Sequence, residues 1–197
     1  DGGQINLPKL NAKLMGNAIS GNVAAIPTKG DKPAVKGTVN AKGPDLPSLL
    51  AIAATFQGPE SGLHDMAKSL AKGSNKSFNV DAAFESDMNQ GRIDLSKLSA
   101  QGLGLSIDGN LNANNMASKN GKINGKLSIK GNQLKDLLTA LGQADMAKTV
   151  KSLNIDAGLS GTSADMTLSP LNLTANVAGS GQKPVDVSLS AGSARAN

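Results

Sequence analysis

The sequence predicts a mainly β protein (α+β) with two short helical excursions, in which tandem curved antiparallel sheet units form one elongated repeat region over residues 1–197. Three observations carry this. Ile5 to Ala25 (INLPKLNAKLMGNAISGNVAA) returns as Ile93 to Ala113 (IDLSKLSAQGLGLSIDGNLNA), identical at 10 of 21 positions without a gap. The same shift of 88 residues carries Gly37–Gly43 onto Gly125–Gly131, and a self-match at fixed period marks a repeat architecture. Most segments alternate apolar and polar residues with period 2, and two windows change to a helical period.

Taken in order, Ile5 and Leu7 alternate, then Leu10, Ala12 and Leu14 alternate in the opposite phase. The phase changes at Pro8-Lys9, again at Ser96-Lys97 between Leu95 and Leu98, and again beside Pro170 between Leu168 and Leu171. An extra residue that flips side-chain parity predicts a β-bulge or a strand break, where proline is tolerated. Ile19 to Ala25 and Ile107 to Ala113 predict second strands, and Val35 to Ala41 and Ile123 to Ile129 third strands. Asn120-Gly121 predicts a hairpin turn, whereas Asp108-Gly109 and Asn124-Gly125 lie within period-2 segments.

The period changes at Gly43-Pro-Asp-Leu-Pro-Ser-Leu-Leu50. Asp45 predicts an N-cap, Pro47 is acceptable in a first turn, and Leu46, Leu49, Leu50 and Ala53 form a helical stripe. Its copy is Leu134, Leu137, Leu138 and Leu141. A longer connection follows the first helix at Gln57–Gly62. Asp65-Met-Ala-Lys68 then recurs as Asp145-Met-Ala-Lys148, and Ser77–Phe84, with its alternating strand Phe78, Val80, Ala82 and Phe84, matches Ser152–Leu159. A third, partial copy runs from Met166 through Val177 to a last strand at Val185, Val187 and Leu189, with a polar tail from Ala191. The copies span approximately 5–92, 93–165 and 166–191.

Composition narrows the class. With three Phe and neither Trp nor Tyr, burial rests on Leu, Ile, Val, Ala and Met, which predicts a thin, extended architecture. The net charge of +5 comes from dispersed lysines that read as a solvated surface. Nucleic-acid binding needs a basic stripe with stacking aromatics, and the chain has almost none. There is no cysteine for a disulfide or thiolate site and no apolar run long enough for a helical membrane span. The start at Asp1-Gly2-Gly3, inside a strand-like pattern, reads as a piece of a longer chain.

Little points to chemistry. His64 is the single histidine and cannot build a multi-histidine metal site, so a surface role beside Asp65 is expected. Asp81 and Asp156 recur on the polar side of equivalent strands, a structural placement. Gly-x-Ser-x-Gly and phosphate-loop patterns are absent, and Gly102-Leu-Gly104 is a strand-end glycine pair. Asn75-Lys-Ser77 and Asn172-Leu-Thr174 match a glycosylation sequon that recurs by chance. The expectation is therefore a protein that is not an enzyme and carries no cofactor or metal.

One-faced strands align their apolar sides into a single surface that two helices cannot cover. Its candidate lining is Leu95, Leu98, Leu103, Leu105, Ile107, Leu111, Ile123, Leu127, Ile129, Leu168, Leu171 and Leu173. Such a surface is sealed in a closed sandwich, which geometry alone favours, or left as an open trough for acyl chains. The unit resembles the repeat of the AsmA family and its TamB-like relatives. The likeness lies in Ile93-Asp-Leu-Ser-Lys-Leu-Ser-Ala with Ile107-Asp-Gly-Asn-Leu, their copies at Ile5–Val23 and Met166–Val177, and the helix after a Gly-capped strand. The resemblance implies a carboxy-terminal fragment of a periplasmic outer-membrane biogenesis factor, tethered to the inner membrane in its full-length form. A curved sheet there would hold phospholipid acyl chains in transit, with inner- and outer-membrane components as partners. The poverty of aromatics departs from that family. The rival expectation is a structural or adhesive β-repeat scaffold with a closed core and no lipid ligand.

Overall fold

Alternation at period 2 becomes one open antiparallel sheet in the computed structural model, which describes residues 4–57, 62–116, 118, 120–162, 165–179, 181 and 183–196. The strands are β1 (Ile5–Leu14), β2 (Asn17–Ile26), β3 (Ala34–Gly43), β4 (Phe78–Asp87), β5 (Arg92–Gly102), β6 (Leu105–Asn114), β7 (Lys122–Asn132), β8 (Val150–Thr162), β9 (Met166–Val177), β10 (Val185–Ala191) and β11 (Ala194–Ala196). They pair in sequence order from β1 to β10, and β11 joins β9 beyond the end of β10. The second sheet that a sandwich needs is not present among the described residues.

The three phase changes are β-bulges. β1 shifts against β2 between Leu7 and Leu10, and β5 against β6 between Leu95 and Leu98. β9 sets Leu168 and Leu171 opposite Leu159 and Ala157 of β8, so Ser169-Pro170 faces the single residue Gly158. Each bulge holds one extra residue and restores the apolar side chains to a common face.

Both excursions are helix pairs, giving four helices among the described residues: α1 (Leu46–Gln57) with α2 (Leu63–Leu70), and α3 (Lys135–Ala140) with α4 (Ala144–Thr149). The recurring Asp-Met-Ala-Lys segments are the second helices, α2 and α4. Their eight and six residues are too few turns for a period to be read. Gly62 (φ 65°) and Gly142 (φ 76°) take left-handed backbone at the two junctions. The first connection, expected over Gln57–Gly62, lies mostly outside the described residues. The helices pack α1 on α2, α3 on α4 and α2 on α3. All four leave the same end of the strands.

Three further expectations change. The β6–β7 connection is a seven-residue loop, 115–121. Asn120-Gly121 closes its last turn, where Gly121 N donates to Ser118 O at 3.0 Å, and the positive φ falls on Asn115. The two-residue hairpin turns are instead Met15-Gly16 and Leu103-Gly104, all four residues at positive φ, as a type I′ turn requires. Met and Leu are uncommon there, so the sequence gives no turn signal. Lastly, the segment expected as a polar tail contains β11.

The end that carries the helices is held by polar contacts. Asp45 caps α1, its Oδ1 accepting from Ser48 N at 3.2 Å. Asn17 is fully buried: its Oδ1 accepts from Asp45 N at 3.2 Å and its Nδ2 donates to Asp45 O at 3.1 Å. A Cβ on Gly43 would lie 1.9 Å from Asn17 Oδ1, so only glycine fits beneath that amide. In the second copy Leu105 stands in place of Asn17, and Leu134, buried, packs with it over Gly131. Asp136 then ties the two helix pairs together, its Oδ2 accepting from Ser74 N at 2.8 Å and Ser74 Oγ at 3.1 Å. At the opposite end Asn89 Nδ2 donates to Thr28 Oγ1 at 2.6 Å, joining the β4–β5 turn to the β2–β3 loop.

Two outcomes follow from these contacts. Replacing Asn17 by Ala removes the side-chain partner of the half-buried Asp45 amide, and costs about 2 kcal/mol in chemical denaturation, a lost partner at such a site being worth about 1–3 kcal/mol. The Asp45 and Asp136 carboxyls sit below the usual carboxylate range, chiefly through hydrogen bonds from Ser48 and Ser74 respectively. A pKa lower in the folded than in the unfolded chain gives stability that is complete above the unfolded value and fades as pH falls through the folded one. The contribution of these two carboxyls is therefore complete above about pH 5 and fades below about pH 4. Asp136→Asn removes part of that loss, measured as the thermal midpoint against pH.

Candidate functional site

The register places the apolar side chains in rows that cross the whole sheet. One row is Leu7, Val23, Gly37, Phe84, Leu95, Leu111, Gly125, Leu159 and Leu168. Across the bulges the next is Leu10, Gly21, Val39, Ala82, Leu98, Gly109, Leu127, Ala157, Leu171 and Ala191. Beyond it lie Ala12, Ile19, Ala41, Val80, Ala100, Ile107, Ile129, Ile155, Leu173 and Leu189. Ile123 belongs to an outer row beside Ala113 and Gly161, and Leu105 to the row nearest the helices. None of these residues is charged.

Eleven of the twelve expected lining residues therefore share one face. The exception is Leu103, which occupies the β5–β6 turn at φ 56° and lies outside the strand rows. In the sequence it groups with Leu105 and Ile107 because the three alternate in one phase, and a turn made of an apolar residue and a glycine leaves no polar mark. All twelve are half-buried. Leucine and glycine alternate across the middle strands: Leu127 Cδ1 and Leu111 Cδ1 lie 3.5 and 3.3 Å from where a Cβ would stand on Gly109 and Gly125. The side chains shield one another within the layer, with no second sheet above them. Toward the edges this shielding fails, and Ile5 is 66% and Leu189 55% exposed.

Helix packing completes the surface at one end. Phe78, Leu134 and Leu70 are buried there, while Leu141 and Met146 of the second pair are exposed. The stripe expected on α1 is half-buried throughout, and its buried residues are Pro47 and Ala54. Sequence reasoning did not identify this corner, because it depends on which strand ends the helix pairs return to.

The other face is polar in every row. Asn11, Ser20, Asn40, Asp81, Ser99, Asp108, Ser128, Asp156, Asn172 and Ser190 form its central row, so Asp81 and Asp156 stand where the repeat placed them. Asn40 Nδ2 donates to Asp81 Oδ1 at 2.8 Å. The depressions along the sheet draw on residues of both faces, the larger one including Leu98, Leu127 and Leu159 of the apolar rows. One of about 740 Å³ takes in Ser99, Asp108, Ser128 and Asp156 with Lys97 and Lys126, and one of about 540 Å³ takes in Asn6, Lys36, Glu85 and Asp94. His64 is exposed on α2 beside a smaller cleft against α1. Among the described residues no group of three or more His, Asp or Glu side chains is placed to hold a metal ion.

An apolar layer shielded only by its own side chains remains reachable by small apolar probes. The folded protein is expected to enhance the fluorescence of a hydrophobic dye at neutral pH, and Leu127→Asn with Ile129→Asn to lower that signal by at least half while the circular dichroism stays unchanged. A dye signal equal to that of a closed globular control contradicts the reading. Comparison with protein-family models, with curated proteins and with solved structures finds no match to this chain.

Proposed function

We propose that the uncovered apolar face holds lipid acyl chains, as a periplasmic, AsmA-like segment working in outer-membrane biogenesis. The observation that carries this is the register, which keeps uncharged apolar rows on one side of ten strand positions with no covering layer among the described residues. Contiguous apolar surface beyond a few hundred Å² usually marks a partner or ligand site. At roughly 4.8 Å between strands, ten positions span about 45 Å, while one acyl tail reaches about 15 Å, half of the bilayer hydrocarbon core. Several tails fit end to end along the rows. Each methylene fully removed from water contributes roughly 0.8 kcal/mol, so an uncharged, featureless row binds a tail without selecting its head group. Such a surface suits passage along the sheet better than storage at one point. On this reading phospholipid is the ligand, membrane components stand at either end, and neither cofactor nor catalysis is involved.

A second reading, a structural or adhesive repeat scaffold, is favoured by the polar row that runs unbroken across the opposite face. It makes the Asp108–Ser128–Asp156 side the working surface and leaves the apolar side to packing.

Native extraction followed by mass spectrometry separates the two. Lipid transport predicts co-purifying phospholipid above the level of a globular control, displacement of a fluorescent fatty acid by phospholipid, and loss of both in Leu98→Asp with Leu127→Asp. Absence of bound phospholipid together with absence of competition refutes it.

A further inference from the structure

The two outer edges of the sheet match each other. β10 and β11 form one interrupted antiparallel partner of β9: Ala191 faces Leu171 and Ala194 faces Leu168, with Gly192-Ser193 opposite Ser169-Pro170. At the other edge β1 carries a break of the same length, Pro8-Lys9, between Leu7 and Leu10. Through the rows, Leu7 is level with Leu168 and Leu10 with Leu171. Strand direction agrees as well. Consecutive strands alternate, so in an even count of ten positions the last runs antiparallel to the first. Two copies side by side, apolar faces level, therefore meet with the geometry of an ordinary antiparallel pair.

We propose that copies of this chain associate head to tail, the β10–β11 edge of one copy pairing with the β1 edge of the next. Extending the rows sets Val187, Leu189, Ala191 and Ala194 of one copy opposite Leu14, Ala12, Leu10 and Leu7 of its neighbour. Pro8 cannot donate to a ladder, which ordinarily protects an edge. Here it falls within the break, the place that Pro170 occupies in β9, a strand paired on both sides. Every residue of β1 is exposed, as are Val185 to Ser190 of β10. On the polar side Lys13 meets Ser188 and Asn11 meets Ser190, so no like charges are opposed. A contact between two different edges is heterologous and extends into an open chain of copies unless twist closes it into a ring. The apolar rows then run on from copy to copy, whatever they hold.

Sedimentation velocity over a concentration series tests this with the whole chain. Head-to-tail pairing predicts a ladder of integral multiples of the protomer mass. Ala12→Lys and Leu189→Glu, both at exposed edge positions, each weaken association about ten-fold or more by leaving a charge unpaired at the junction. The double variant carrying both restores it, because the two new side chains stand directly opposite in this register. Circular dichroism of each variant confirms that the fold is intact. A monomer at all concentrations overturns the proposal. So does association lost in Ala12→Lys but kept in Leu189→Glu, which signals two-fold pairing of β1 with itself, and so does failure of the double variant to restore the ladder.

Discussion

Side-chain parity is the constraint on which the sheet depends. A strand that slips by one residue turns every apolar side chain to the opposite face. Leu95 and Leu98 are an odd number of residues apart and would face opposite sides of a regular strand, yet both belong to the apolar layer. The extra residue at Ser96-Lys97 reconciles them, and the bulges at Pro8-Lys9 and Ser169-Pro170 do the same for β1 and β9. β4 shifts against β5 at the same place, so the correction is made on both sides of that strand. With parity held, the three central rows stay apolar across the sheet, and cross-strand pairs of about 0.2–1 kcal/mol each accumulate without a second layer.

That economy explains the composition. A single sheet buries each apolar side chain only against its neighbours in the layer, so branched aliphatic residues that pack laterally suit it better than large aromatics. The fully buried side chains are few, and the two largest are Leu70 and Asn17, both at the helix end. Stability therefore comes from the backbone ladder, the lateral rows and one well-packed corner. The edges, with Ile5 and Val185 both more than half exposed, gain least from lateral shielding.

Much of this was legible in the chain. Repetition at 88 residues together with period-2 alternation marks the strands, and the phase changes mark the bulges, because both are local and leave a periodic trace. What escaped is either too short or too tertiary. Helices α2 and α4 complete barely two turns, so their repeated Asp-Met-Ala-Lys shows kinship without showing structure. Leu103 falls in phase with Leu105 and Ile107 of β6 while the backbone turns on Leu103-Gly104, and its apolar side chain hides the hairpin. The choice between sandwich and open sheet depends on whether distant strands fold back on one another, which no local pattern encodes. Nor does any local pattern place the two larger depressions, since the walls of each come from five strands at once.

The corner at Asn17 has a consequence for how these modules combine. In the first module an amide clasps the backbone of Asp45, and in the second two leucines fill the same space over Gly131. The modules share a frame but not a lock. A chimera that joined the second module's strand hairpin to the first module's helix start would set an aliphatic side chain where the Asp45 backbone meets the Asn17 amide. Divergence at this one position makes each unit fit only its own helices, so shuffling of modules is confined to whole units and pieces cannot be exchanged.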